Sequence, residues 1–288
     1  MADIWIGLLF VTAAFLGIAA ITWRWTRFAS PIARTSTGAV SVLLGCAYVW
    51  FFRNDVRLAE VLPFSNLIVV SNGVAYFTAI LLGLVASDAN LSQIRRVFAE
   101  GTLTIAAGYA TVMTVFGHAP ACQDKWKDDV CIQTTNNTCA AACAATLLKS
   151  AGITASETEM SSLCFADNGT TWAGLYRGLS LKTAETDYTV QTFVGDLDKL
   201  RQLHCEERPV VLTVGLSRDS AKRVPGDLAQ QLADRGWFVG HTHAVLFYGF
   251  TDQGQARIGD PSVGREDWNL RELKALWHGS GQMLVRRQ

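Results

Sequence analysis

The sequence predicts a bundle of transmembrane α-helices followed by a mixed α+β domain, and two observations lead to this fold class. Charged residues are distributed unevenly: the first 118 residues contain no lysine and only 12 of the 50 charged residues in this 288-residue chain. The remaining residues combine helical patterns with several short apolar runs that are typical of strands. A composition break this sharp predicts a domain boundary near His118. We therefore expect a membrane anchor at residues 1–118 and a second domain at residues 119–288.

Four uncharged windows in the first part are long enough to cross a bilayer. A membrane span needs about 20 predominantly apolar residues, and the windows cover residues 4–23, 35–52, 61–87 and 101–117. The last window is rich in small and hydroxylated residues, which a helix packed against its neighbours tolerates. The sequence thus predicts about four transmembrane helices, with the lipid bilayer as a partner.

Arginines in the loops predict the orientation of these helices. Cytoplasmic loops carry an excess of lysine and arginine. The first and third loops hold five arginines and the second holds two: Arg24, Arg27, Arg34, Arg95 and Arg96 against Arg53 and Arg57. The first and third loops are therefore expected inside, and four spans place both termini outside. The second domain would be periplasmic or extracellular.

A reactive cysteine is predicted in the stretch QTTNNTCAAACAA, where Gln133 stands six positions before Cys139. Residues 138–150 have a helical pattern with Gly152 just after its end, so Cys139 falls in the first turn. Backbone N–H groups in a first helical turn stabilise negative charge, which favours the thiolate, the nucleophilic form of cysteine. Cys139 is therefore a candidate nucleophile.

A histidine and an aspartate follow about a hundred residues later. His243 begins the apolar run HAVLF, and Asp260 lies in the turn-like GDP. The segment TDQG between them has the composition of a hairpin turn, so antiparallel pairing brings both residues to the open end of the hairpin. His243 would accept the thiol proton and Asp260 would orient the ring. Gln133 would donate a hydrogen bond to the oxyanion of the tetrahedral intermediate.

Each of these assignments has a structural alternative. Cys143, one helical turn after Cys139, is expected to be a core thiol. His241 shares a face with His243 on a strand, and His243 is preferred because the apolar run begins directly after it. Asp260 could serve only as a turn residue before a proline.

A zinc site is the competing constellation. Two cysteines four residues apart and two histidines, Cys139, Cys143, His241 and His243, would make a Cys2His2 set. That interpretation leaves Gln133 and Asp260 without a function. We therefore expect neither a metal ion nor another cofactor.

These residues resemble the C39 peptidases, which are papain-like domains that process double-glycine leader peptides at the front of peptide-exporting ABC transporters. The similarity extends from about Cys131 to the C-terminus. It rests on three blocks: Gln133 with Cys139 and ATLLKSAGI; LCFADNGTTWAGLYRGL; and HAVLFYGF, GDPSVG and the terminal Leu276-Trp277. The resemblance implies a papain-like α+β fold and a cysteine peptidase that acts on a peptide or protein. It also implies a triad of Cys139, His243 and Asp260, with Gln133 as oxyanion donor.

The chain departs from that family in three places. Ala140 follows the cysteine where glycine is usual, and Thr138 precedes it where aspartate is common. Residues 215–242 form a long insert before His243, with one short helical pattern, DLAQQLADRG; we expect it to control access to the site. The P-loop pattern G-x-x-x-x-G-K-[ST] does not occur, so any exporter partner would be a separate chain.

Two further features bound the function. The mixed charges of the second domain give no nucleic-acid footprint. Cys122 and Cys131 bracket a charged loop, and either a disulfide or two free thiols is consistent with their spacing.

Taken together, these features of the sequence predict a membrane-tethered cysteine peptidase. Its sheet is expected to have strands near TVQTFV, PVVLTV, HAVLFYGF, ARIG and QMLVRR. The alternative function is a non-catalytic peptide-binding or sensing module.

Overall fold

The computed structural model describes residues 1–53, 55–205 and 208–287, so residue 288, at the end of the predicted second domain, lies outside it. The chain forms two compact units. One comprises Met1–Leu58 and Phe64–Phe116, and the other comprises Ala59–Pro63 and Gly117–Gln288. The first unit is helical and the second is an α+β domain, which confirms the predicted fold class.

The described part of the first 116 residues is built from helices. Their bounds are Ala2–Thr26 (α1), Pro31–Ala47 (α2, continued by a π-helical stretch at Tyr48–Phe52), Leu58–Val61 (α3), Leu67–Val70 (α4), Gly73–Ser87 (α5) and Gln93–Val112 (α6). Three stretches are long and apolar enough to cross a membrane, namely Ala2–Thr26, Pro31–Phe52 and Leu67–Ser87. They coincide with the first three predicted spans. The fourth predicted span, residues 101–117, overlaps α6, which begins earlier and has charged residues in its first two turns.

Small residues bring three of these helices together. Phe15 of α1, Ala79 of α5 and Ala107 of α6 form one buried apolar cluster. A Cβ atom added to Gly83 of α5 would lie 2.5 Å from the carbonyl oxygen of Ala19 in α1. The glycine therefore permits the close backbone approach that is common between membrane helices.

Arginines hold several helix ends together at one end of the helical unit. The Arg34 guanidinium donates to the carbonyl oxygens of Thr26 and Ser87, each at 2.7 Å, and these residues are the last of α1 and α5. Arg96 donates to the carbonyl oxygen of Asp88 at 2.6 Å. Cations at helix C-termini are favourable because the last carbonyl groups lack helical partners. The first and third predicted loops therefore lie at the same end.

The α+β unit contains seven further helices and eight strands. The helices are Cys139–Ser150 (α7), Glu157–Leu163 (α8), Trp172–Thr183 (α9), Leu197–Cys205 (α10), Arg218–Arg223 (α11), Gly226–Asp234 (α12) and Leu270–Leu276 (α13) in the described residues. The strands there are Lys125–Lys127 (β1), Val130–Ile132 (β2), Tyr188–Val194 (β3), Val210–Gly215 (β4), Thr242–Phe250 (β5), Ala256–Asp260 (β6), Gly264–Trp268 (β7) and Trp277–Arg286 (β8).

Strands β3 to β8 form one antiparallel sheet in the order β3-β8-β4-β5-β6-β7, and β1 pairs with β2 separately. Helix α7 packs against this sheet, since residues 140–148 are all buried and the Cys143 thiol donates to the carbonyl oxygen of Ala244 in β5 at 3.2 Å. The five predicted strands are confirmed. Strand β7 was not predicted because its sequence GREDW has charged residues between its buried ends.

The predicted hairpin joins β5 to β6. The N–H of Thr251 donates to the carbonyl oxygen of Gln255 at 2.8 Å, and Leu246 pairs with Gly259 further along the ladder. This register places His243 and Asp260 near each other at the open end of the hairpin, as the sequence predicts.

The insert between β4 and β5 is folded and packed. It contains α12, which the sequence predicts, and also the shorter α11, which begins after Ser217. The Ser217 hydroxyl accepts a hydrogen bond from the Ser220 N–H at 2.9 Å and thus caps α11. Leu228 and Leu232 of α12 are buried in the same core as Leu273 of α13. The insert therefore contributes to the hydrophobic core of the unit.

Candidate active site

Cys139 is the first residue of α7, one residue after the predicted start of this helix. Its side chain is half-buried, whereas residues 140–148 are buried. Thr138 makes no capping bond to the helix, because its hydroxyl donates to the carbonyl oxygen of Thr135 at 3.0 Å. The first-turn N–H groups lack helical partners, so they can stabilise a thiolate or an oxyanion at Cys139.

His243 and Asp260 form a buried hydrogen-bonded pair. The Nε2 atom of His243 lies 3.0 Å from Oδ1 of Asp260, and the two residues are 6% and 7% exposed. The N–H of Ser262 donates to the same carboxylate oxygen at 2.7 Å. The Ser262 hydroxyl also lies 3.4 Å from Nε2 of His243. Ser262 was not singled out from the sequence, although it belongs to the GDPSVG block.

The surroundings of the pair favour an imidazolium and a carboxylate. Burial alone would lower the pKa of His243, but hydrogen bonds with Asp260 and with the Cys139 thiol outweigh it and raise the pKa to about 9. Burial would raise the pKa of Asp260, yet the hydrogen bond with His243 and those from Ser262 hold it below its usual value. The structure thus brings Cys139, His243 and Asp260 together.

Gln133 follows β2 in the loop that leads to α7. Its N–H donates to the carbonyl oxygen of Pro261 at 2.8 Å, directly after Asp260. Its side-chain oxygen is buried and has no hydrogen-bond partner among the described residues. The backbone of Gln133 is therefore joined to the loop that follows Asp260, while its side-chain oxygen is left unpaired.

The competing residues occupy different environments. The Cys143 thiol is buried and donates to a backbone carbonyl group, and burial raises its pKa well above the usual value. His241 is exposed, and its ring stacks on that of His243 with a centroid distance of 6.1 Å. Among the described residues, no group of three or more His, Cys, Asp or Glu side chains is arranged to hold a metal ion. The four residues of the alternative zinc set therefore do not converge.

The insert supplies a tryptophan to the site. The Trp237 ring is buried and contacts the rings of His243 and Trp268 edge to face, at centroid distances of 5.9 and 5.8 Å. It also lines a cavity of about 140 Å³ beside His243, Asp260 and Glu266. The adjacent Phe238, by contrast, is 67% exposed. Trp237 thus packs against β5 and β7, whereas the Phe238 ring is largely exposed.

Three further thiols of the unit are described, those of Cys122, Cys131 and Cys164, and all three are free. Cys122 and Cys131 are free thiols, and Cys122 lies 3.3 Å from the Ser161 hydroxyl. Burial raises the pKa of Cys131 and of Cys164 to about 12. The spacing of Cys122 and Cys131 allowed either a disulfide or two free thiols, and the structure has two free thiols.

The chain belongs to the Peptidase_C39 like family, whose profile matches residues 124–284. This match confirms the family that the sequence motifs indicated, and it supports a peptidase or peptide-processing function. No curated protein matches the chain.

Three solved structures that are similar to this chain are peptidases of transporters. The peptidase domain of Streptococcus ComA, described as a bifunctional ABC transporter of a quorum-sensing pathway, has 19% identity and a TM-score of 0.41, covering 56% of this chain and all of that one. A double glycine motif protease from an AMS/PCAT transporter, in complex with the leader peptide, has 14% identity and a TM-score of 0.40, covering 59% and 95%. The Streptococcus mutans ComA peptidase domain has 18% identity and a TM-score of 0.34, covering 55% and 98%.

Proposed function

We propose that this protein is a membrane-tethered cysteine peptidase that hydrolyses a peptide or protein through Cys139, His243 and Asp260. The observation that carries the proposal is the buried 3.0 Å contact between His243 and Asp260. Cys139 also acts on the same ring, because it helps to raise the pKa of His243. A base that is oriented by a third group and lies next to a thiol at a helix start is the arrangement that nucleophilic catalysis needs.

The first half-reaction forms an acyl-enzyme. The Cys139 thiol transfers its proton to His243, and the thiolate sulfur then bonds to the carbonyl carbon of the scissile amide. The carbonyl π electrons move to oxygen, where the Gln133 amide and the Cys139 backbone N–H stabilise the negative charge. The C–N bond breaks as His243 donates its proton to the leaving amine. The product is a thioester at Cys139.

The second half-reaction releases the acid. His243 removes a proton from water, and the resulting hydroxide adds to the thioester carbon. When the C–S bond breaks, the thiolate recovers the proton from His243, and the carboxylic acid product leaves. Asp260 keeps the imidazole in the orientation that both steps require.

The substrate class follows from the family, and the leader-peptide specificity of its relatives is not carried over. The family match supports a peptide substrate, and we propose a separate exporter as partner. Ala140, Thr138 and the folded insert differ from the usual family pattern around the nucleophile. We therefore propose an exported peptide or protein as substrate without assigning a cleavage motif.

The helical unit supports a multi-pass anchor with α6 as the fourth span. Ala107 packs against Phe15 and Ala79, which lie near the middle of the stretches Ala2–Thr26 and Leu67–Ser87. At 1.5 Å per residue, the 11 residues from Arg96 to Ala107 cover about 16 Å, close to half of a hydrocarbon core of about 30 Å. Helix α6 would then cross from the arginine-rich end, which we place in the cytoplasm. The peptidase domain would lie on the periplasmic or extracellular side.

Covalent labelling tests the proposed activity. The full-length protein is incubated with a peptidyl electrophile that reacts with activated thiols, and the modified residue is identified by mass spectrometry. We expect labelling at Cys139, no labelling in Cys139→Ala, and unchanged labelling in Cys143→Ala, the matched control one helical turn away. Equal behaviour of the two variants would contradict the nucleophile assignment, and an unlabelled wild-type protein would favour a non-catalytic peptide-binding module.

A further inference from the structure

A carboxylate that the proposed mechanism does not use lies buried behind the loop of Gln133. Glu157, the first residue of α8, is 0% exposed. Its Oε1 accepts a hydrogen bond from the Thr134 N–H and its Oε2 accepts one from the Thr134 hydroxyl, both at 2.6 Å. Buried carboxylates are unfavourable unless they are well hydrogen-bonded. Both oxygens of Glu157 are thus engaged with the residue that follows Gln133.

Thr134 is also fixed by a second contact. Its hydroxyl accepts a hydrogen bond from the Gln123 N–H at 2.8 Å while it donates to Glu157. On the other side, the N–H of Gln133 donates to the Pro261 carbonyl oxygen at 2.8 Å. The backbone of Gln133 is therefore held between α8 and the loop that carries Asp260.

This anchoring matters because the buried position of the Gln133 amide is unfavourable by itself. Its buried oxygen has no partner among the described residues, and an unpaired buried polar atom is unfavourable. If the loop that contains Gln133 were free to move, the Gln133 amide would rotate toward water. We propose that Glu157 is a positioning residue, which holds Thr134 and thereby keeps the Gln133 amide at the oxyanion position. This inference rests on the proposed function.

Two reactions of Cys139 distinguish a positioning role of Glu157 from a general structural role. Acetylation by 4-nitrophenyl acetate passes through a tetrahedral oxyanion, whereas alkylation by iodoacetamide is a displacement at carbon without one. Both rates are measured on the full-length protein in detergent, and the background of Cys139→Ala is subtracted. Misplacing a catalytic group by 1 Å can lower a rate by about 10²-fold. We therefore expect Glu157→Gln to slow acetylation by about tenfold to about 10²-fold and to leave alkylation unchanged.

The effect of Glu157→Gln on the acetylation rate must also depend on Gln133. In a Gln133→Ala background, the added Glu157→Gln change should cause no further loss of acetylation, because residues that act through one group are not additive. Thr134→Val, which removes the hydroxyl but keeps the N–H, should reproduce the loss. The matched control is Glu159→Gln on the same helix, since Glu159 pairs with Lys182 at 2.9 Å and is partly exposed. It should change neither rate.

Several outcomes would overturn the inference. Glu157→Gln could slow both reactions equally, or its effect could persist in the Gln133→Ala background, and either result assigns Glu157 a structural role only. If Glu157→Gln does not fold, the acetylation and alkylation rates of Thr134→Val test the inference instead. If wild-type protein and Cys139→Ala react alike with both reagents, the proposed function fails, and that result is distinct from failure of the Glu157 inference.

Discussion

Gln133 and Pro261 are joined by a 2.8 Å hydrogen bond from the N–H of the first to the carbonyl oxygen of the second. Gln133 lies between β2 and α7, and Pro261 directly follows Asp260 at the end of β6. The bond therefore links the loop of the proposed oxyanion donor to the loop of the proposed orienting acid. Changes in either loop are expected to affect both groups.

His243 in β5 and His241, which directly precedes β5, should respond differently to replacement by alanine. We expect His243→Ala to lower peptide hydrolysis by orders of magnitude, since general acid and base catalysis contributes about 10²–10⁴-fold. His241→Ala should be mild, because this exposed ring stacks on His243, whereas the hydrogen bond to Asp260 is made by His243. Steady-state kinetics of the two variants makes the comparison. A dead His241 variant beside an active His243 variant would reverse the assignment of the base.

Activity should fall as the pH rises through about 9. The pKa of His243 is raised from 6.5 to about 9 by hydrogen bonds to Asp260 and Cys139, which outweigh burial. The imidazolium that protonates the leaving amine is therefore present below that pH and lost above it. The profile of kcat/KM against pH measures this descending limb. A limb near pH 6.5 would contradict the ion-paired site.

Asp260→Asn should move the descending limb of the kcat/KM profile to lower pH. The substitution removes the charge that favours protonated His243, so the imidazolium loses its proton earlier. The loss of rate at the optimum should be smaller than for His243→Ala, because the ring can still be held by neighbouring contacts. Asp252→Asn, which replaces an exposed carboxylate in the turn between β5 and β6, is the matched control. An unchanged limb in Asp260→Asn would show that the carboxylate does not set the charge of His243.

The membrane topology depends on α6 and can be read with two reporter fusions. A reporter enzyme that is active only outside the cytoplasm is fused after Ser92, before α6, or after the C-terminal residue. We expect the first fusion to be inactive and the second to be active, because α6 would carry the chain across. If both fusions are inactive, α6 does not cross and the peptidase domain is cytoplasmic.

Adjacent residues of the insert should have separate effects. Trp237→Phe should lower kcat/KM and the melting temperature, because the buried indole packs on His243 and Trp268. Phe238→Ala should leave the melting temperature unchanged and alter the preference among peptides, because this ring is exposed next to the site. Thermal unfolding and kinetics with a small peptide library test both variants. If Phe238→Ala leaves all substrate preferences unchanged, the insert does not control access through this residue.

Much of the fold could be predicted because local patterns and tertiary structure agree. The run HAVLFYGF, the turn TDQG and the run ARIG form the hairpin β5–β6, since two apolar runs on either side of turn residues specify the pairing locally. Helix α7 was predicted within one residue because an apolar helical pattern and Gly152 mark it. The family was predicted from the same residues, and the profile match confirms it.

What could not be predicted depends on packing between distant segments. Strand β7 is stabilised by pairing with β6 and not by an apolar sequence, so its charged residues concealed it. Glu157 has an ordinary helix-start context, and only the fold brings it to Thr134.

The burial of Cys131, Cys143 and Cys164 has a consequence for oxidative damage. An oxidant such as hydrogen peroxide converts an accessible thiolate to a sulfenic acid, which a neighbouring thiol can rescue by forming a disulfide. Cys143, one turn behind Cys139, is enclosed in the core and hydrogen-bonded to Ala244. It is therefore poorly placed to act as the resolving thiol. If Cys139 is the nucleophile that we propose, the packing that encloses Cys143 would leave Cys139 open to irreversible overoxidation.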